Sequence, residues 1–148
     1  MPRMIFVNLP IADLAKATAF YQAIGATKDK RFSDGAGSCM VFSDTIFTML
    51  LTHDKFRQFT PKKIADARAT SEVLLCLSAD DRAGVDAMVE AARKAGGKAD
   101  ATPKQDYGFM YGRSFEDLDG HIWEIMWMDV EKALAQGGNM AEATAQHA

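Results

Sequence analysis

Apolar residues in this chain fall into short runs of period two, broken by two longer stretches of helical period, and this order occurs twice. Residues 4–9 are apolar and β-prone, and Pro10 ends the run. Asp13 is placed to cap a helix whose apolar positions are Leu14, Ala17, Phe20, Tyr21 and Ile24. Gly25 then suits the left-handed position after a helix end. Residues 26–32 carry a weak strand pattern, 34–37 a turn, and 38–43 and 45–51 two strands joined tightly at Ser43 and Asp44. A short helix is expected over 53–59, and the polar stretch 60–70 reads as a linker or a mobile flap. The second round has a strand over 72–77 and a helix capped by Asp80 or Asp81, with apolar positions Val85, Met88, Val89, Ala92 and Ala95 and an end at Gly96. Strands follow over 98–102, 108–115 and 121–128, the last after the turn 117–120. Both rounds read β-α-β-β-β.

The repeat has a measurable offset. Placing 42–50 beside 118–126 pairs Asp44 with Gly120 and Thr48 with Glu124, an offset of 76. The glycines that end the helices, Gly25 and Gly96, are offset by 71, so the second round is about five residues longer between helix and last strand. Residues 1–130 are thus expected to form one domain, with modules at about 4–52 and 71–128. Residues 131–148 are expected to form a frayed helix or a disordered tail.

At 148 residues the chain has one domain's length and enough core to fold without disulfide or metal. A net charge of −3 with no basic stripe argues against nucleic acid as a partner. No run is long enough to span a bilayer, and the first apolar run is too short for a signal peptide. A cytoplasmic setting is expected. Cys39 and Cys76 each lie in a strand-like apolar run and form no Cys-x-x-Cys pair, so both are expected as buried free thiols.

Three stretches, taken in order, resemble the vicinal oxygen chelate superfamily of glyoxalase I, extradiol dioxygenases, fosfomycin-modifying enzymes and bleomycin-binding proteins. They are residues 8–14 with Ala19-Phe20-Tyr21, residues 77–81 with Ala95-Gly96-Gly97, and residues 115–124, where Leu118 replaces the usual proline of an Asp-Pro-Asp-Gly hairpin. The resemblance covers nearly all of 4–128. It implies an α+β fold in which two βαβββ modules curl their sheets into an open barrel around one pocket. Members that do metal chemistry hold a divalent ion from four strand positions, using His, Gln or Glu. Carried over, these positions fall on Phe6, Thr48, Leu74 (Val73 if the register slips) and Glu124. Only the last is a strong ligand, since the ion needs nitrogen or oxygen donors. The chain thus resembles a lactoylglutathione-lyase-like member that lacks most of its metal ligands. A rebuilt site from Glu72, Glu124 and His53 is the alternative. His121 is expected as a surface histidine of the turn, facing away from Ile122 and Glu124.

Glu124 alternates with Ile122 and Met126, so its face is otherwise apolar. A carboxylate there needs a partner or a raised pKa, and serves either as a ligand acceptor, as a candidate catalytic base, or in an ion pair with Arg113. The aromatic segment 105–115 places Tyr111 and Arg113 as further ligand-binding candidates, with Thr48 and Met126. Met40, Met49, Met110 and Met128 add deformable apolar surface. These residues lead to an expectation of metal-free binding of a small organic molecule, as in bleomycin-binding proteins, with no cofactor. The alternative is a glyoxalase-like lyase or isomerase with a noncanonical zinc or nickel site. A homodimer is expected, because open half-barrels leave strand edges and apolar surface uncovered.

Overall fold

The structure is a computed structural model and describes residues 1–136. The expected tail over 131–148 therefore lies mostly outside the described residues. Each round of the sequence pattern builds its own mixed sheet. In the first, β1 (Ile5–Ile11) runs parallel to β4 (Ile46–Thr52), which pairs antiparallel with β3 (Gly37–Val41), itself paired with β2 (Thr27–Asp29). In the second, β5 (Leu75–Ser78) runs parallel to β9 (Ile122–Met128), followed by β8 (Met110–Glu116) and β6 (Lys98–Ala99). A two-residue strand, β7 (Gln105–Asp106), also pairs with β8, where the sequence pattern gave only a loop. The weak strand over 26–32 is β2 plus a 3-10 turn over Lys30–Phe32.

The helices form where the capping residues put them. The Asp13 side chain accepts from Lys16 N at the start of α1 (Leu14–Ala23), and Asp81 accepts from Gly84 N at the start of α3 (Arg82–Lys94). Short α2 (His53–Arg57) follows β4 and α4 (Val130–Ala135) follows β9. The expected apolar stripes of α1 and α3 all lie in one shared core with Leu9, Ile11, Met40, Leu50, Phe115, Trp123 and Ile125. The two modules therefore meet through their helix-covered faces. Phe20 of α1 lies 6.0 Å from Phe115, and Tyr21 lies 6.1 Å from Trp123. Burial at this seam stabilises the relative placement of the modules, at roughly 25 cal/mol for each Å² of apolar surface covered.

A polar latch runs beside these rings. The Tyr21 hydroxyl donates to Asp117 Oδ2 at 2.5 Å and accepts from the Trp123 indole N–H at 2.9 Å. Asp117 also accepts from the backbone N–H groups of Asp119 and His121. Asp119 in turn accepts from Ala12 N, and His121 Nε2 donates to the Pro10 carbonyl at 2.8 Å. The closing turn of the second module is thereby fastened to the end of β1. Burial pushes the Asp117 carboxyl up, and its hydrogen-bond donors pull against that shift.

Candidate functional site

Strand alternation decides which side chains face the core and which face away. In β9, Trp123 and Ile125 are buried in the core, while Ile122, Glu124 and Met126 occupy the opposite, open face. In β1, Leu9 and Ile11 are in the core, so Phe6 and Asn8 are on the open side. Phe6 stacks on Phe47 there, with ring centroids 4.6 Å apart.

Thr48 does not share the face of Glu124. It is fully buried on the core side, level with Val7 and Met40, and its hydroxyl has no hydrogen-bond partner among the described residues. The reason is a one-residue difference between the hairpins. The connection 42–45 is shorter by one residue than 117–121. Met40 faces Thr48 as Phe115 faces Trp123, so the hairpins match at an offset of 75 and Met49 is the true counterpart of Glu124. A slip of one residue moves a side chain to the other face of a sheet. Asn8 pairs with Met49 as Cys76 pairs with Glu124, which leaves Phe6 and Leu74 matched as the sequence mapping had them.

Tyr111 and Arg113 also face the core side, next to Trp127 and Ile125. Arg113 does not pair with Glu124. Its guanidinium binds Asp86 at 3.0 Å, Glu90 at 3.1 Å and Asp100 at 2.8 Å, and the Tyr111 hydroxyl donates to the same Asp86. Both side chains tie β8 to α3. Hydrogen bonds to these carboxylates raise the Arg113 pKa further.

Glu124 is half-buried, between Cys76 on β5 and Ser114 on β8, and forms no hydrogen bond or ion pair with the described residues. Cys76 is exposed where a buried thiol was expected, because alternation turns it to the open face; Cys39 is buried. Partial burial, and then the Glu124 charge, raise the Cys76 thiol pKa. Replacing Glu124 by Gln is expected to lower that pKa and speed alkylation of Cys76 at mildly alkaline pH. Stability should change by less than about 0.5 kcal/mol, as for surface substitutions. An unchanged alkylation rate would show that the charge does not reach the thiol.

The residues at the family's metal positions are thus Phe6, Met49, Leu74 and Glu124. Two hydrocarbons, a weak thioether and one carboxylate do not fit a divalent ion. Glu72 and His53 do not rebuild the site: among the described residues, no group of three or more His, Cys, Asp or Glu side chains is placed to hold a metal.

A concavity lies elsewhere, beneath the segment 60–73. An inner cavity of about 280 Å³ is bounded by Asn8 and Pro10 of β1, Phe56 of α2, Ile64 of the segment, and His121 and Ile122 at the start of β9. An adjoining vestibule of about 850 Å³ shares Pro10, Lys62, Lys63, Ile64 and His121 with its lining. None of Glu124, Met126, Tyr111, Arg113 and Thr48 lines either space. His121 lines both, and its bond to Pro10 holds it there, so it is not a free surface histidine. The segment is fixed at Arg68, whose guanidinium donates to the Leu118 carbonyl at 2.6 Å. Gly120 makes room for it. A Cβ at that position would lie 2.9 Å from Arg68 N, and its φ of +93° already favours glycine. The sequence marks 60–70 only as a linker or a mobile flap and does not show this pocket, since only the folded chain brings 60–73 over β1 and 119–122.

Residues 3–125 match the sequence model of the Glyoxalase/Bleomycin resistance protein/Dioxygenase superfamily. The chain belongs to that superfamily. Among solved structures it is similar to the hypothetical protein SA1046 from S. aureus, at 24% identity over 86% of this chain and 95% of that one, with a TM-score of 0.72. A glyoxalase-related enzyme from Fulvimarina pelagi shares 19% identity over 88% and 91% of the two chains, with a TM-score of 0.72. The fosfomycin resistance protein FosX from Mesorhizobium loti shares 18% over 90% and 96%, with a TM-score of 0.61. At these identities the likeness establishes the fold alone. No curated protein matches the sequence. Among the described residues, no helix is long and apolar enough to cross a membrane.

Proposed function

We propose that the protein binds a small organic molecule, without a metal ion, in the cavity beneath residues 60–73. The observation that carries this reading is the cavity itself. Its size suits a small ring compound, Pro10, Phe56, Ile64 and Ile122 provide apolar walls, and Asn8 and His121 provide polar groups at fixed positions. Metal-free binding is supported by the donor set at Phe6, Met49, Leu74 and Glu124, which leaves a glyoxalase-like lyase or isomerase reading with one strong ligand for its ion.

The test is a thermal melt of the full chain against a panel of small aromatic and aliphatic compounds. At least one compound is expected to raise the melting temperature, and Ile64→Trp, which fills the cavity from the segment, is expected to abolish that rise while leaving the unliganded melt near wild type. A rise that persists in Ile64→Trp would place binding elsewhere. Protein purified without chelator or metal-affinity steps should contain no stoichiometric zinc, nickel, manganese or iron. One tightly held ion per chain, lost in Glu124→Ala, would promote the lyase reading.

The chain is also proposed to act as a homodimer. Ile5, Phe6, Val73 and Leu74 are all about half exposed or more, close to the starts of edge strands β1 and β5. Sedimentation equilibrium should give twice the chain mass at micromolar concentration, and a monomer there would contradict it.

A further inference from the structure

The vestibule adjoining the cavity differs in charge from the rest of the molecule. The whole chain carries a net charge of −3. The vestibule is lined by Arg57, Lys62, Lys63 and Arg68 against two carboxylates, Asp66 and Asp119. Each carboxylate accepts one backbone N–H, Asp119 from Ala12 N at 2.9 Å and Asp66 from Arg68 N at 3.0 Å, and keeps its negative charge, so the cations outnumber the anions without cancelling them. Arg57 is paired with Asp54. Lys62, Lys63 and Arg68 form no ion pair with the described residues. Arg68 donates to the Leu118 carbonyl, a neutral acceptor that leaves its charge uncompensated. Lys62 and Lys63 line the inner cavity as well, where Glu72 is the single carboxylate.

Cations grouped on a concave wall raise the local potential, and they attract a ligand of opposite sign more strongly than scattered surface charges do. Apolar walls and cations line the same concavity: Pro10, Phe56, Ile64 and Ile122 lie with Lys62 and Lys63, and Arg68 lines the adjoining vestibule. A ligand that satisfies both has an apolar body and an acid group at one end. We propose that the cavity selects organic anions, a carboxylate or phosphonate on an apolar body, with the acid group held between Lys62, Lys63 and Arg68. This rests on the cavity reading above and specifies its ligand class.

The test uses isothermal titration of the full chain with benzoate, phenylphosphonate and benzyl alcohol, three probes with one apolar body. Wild type and the double variant Lys62→Gln/Lys63→Gln are compared at low and high salt. Both lysines are exposed, so the double variant should melt as wild type does. The two anions are expected to bind about tenfold more tightly than the alcohol. That preference should shrink with salt and largely vanish in the double variant, while alcohol binding stays the same. Equal binding of all three probes by wild type would leave the cavity reading standing and overturn the anion inference. An anion preference that survives in the double variant would overturn the assignment to these lysines. Binding by none of the three would remove both readings.

Discussion

Gly97→Ala is expected to destabilise the fold by about 3 kcal/mol, at the upper end for overpacking. Gly97 follows the end of α3, where its N–H donates to the Ala92 carbonyl and the next residue enters β6. A Cβ there would stand 2.5 Å from the Glu116 carbonyl oxygen, 2.8 Å from the Phe20 ring and 3.1 Å from the Ala92 oxygen. Two of these neighbours are backbone, one held in the α3 end and the other in the β6–β8 pairing, so neither moves without loss of hydrogen bonds. The third is the ring that joins α1 to the second module. The melting temperature should fall by about 10 °C for a domain of this size. Gly35→Ala is the control, since a Cβ there meets nothing within 4 Å. A Gly97→Ala variant that melts with Gly35→Ala would show that the seam between the modules is looser than described.

Arg113→Met is expected to cost about 2 kcal/mol, below the usual cost of breaking a buried ion pair because the carboxylates keep contact with water. Arg113 is only 5% exposed, against 50%, 41% and 32% for Asp86, Glu90 and Asp100. The effect should depend on pH. Asp100 is held below the usual carboxylate range chiefly by Arg113. Asp86 is held down first by the Tyr111 hydroxyl and then by Arg113, and Glu90 first by Arg93 and then by Arg113. Groups with lowered folded-state pKa values add stability above their unfolded pKa, near 4, and lose it as pH falls through the folded value. The gap between wild type and Arg113→Met in denaturant melts should therefore be full at neutral pH and narrow below about pH 4. A gap independent of pH would mean that Arg113 contributes by packing alone.

Much of this fold is legible in the sequence because local rules agree with tertiary ones. Asp13 and Asp81 cap the helices, and the apolar stripes of α1 and α3 all lie in the core or pack against it. The β-α-β-β-β order, read twice, appears as two sheets of the same connectivity. The facing of β4 was not legible. Strand starts align at 76 but side chains align at 75, and only hairpin register distinguishes Thr48 from Met49. One sequence signal points to the role of Arg113. Asp86 and Glu90 are like charges four residues apart on a helix, an arrangement that is unfavourable alone and implies a cation across from it. Asp100, the third partner, reaches Arg113 from a backbone with φ of +54°, which no sequence pattern announced. The cavity was invisible for a different reason. Its walls come from four separated segments that the Tyr21–Asp117–Trp123 latch and the Arg68 anchor bring together.

The central claim, a ligand cavity beneath residues 60–73, is tested most directly by two-dimensional amide NMR of the full chain titrated with benzoate. Saturable shifts are predicted at the amides of Asn8, Lys62, Lys63, Gly120, His121 and Ile122, with Cys76, Ser114 and Glu124 unmoved. Shifts centred on Cys76 and Glu124, or none that saturate, would contradict it.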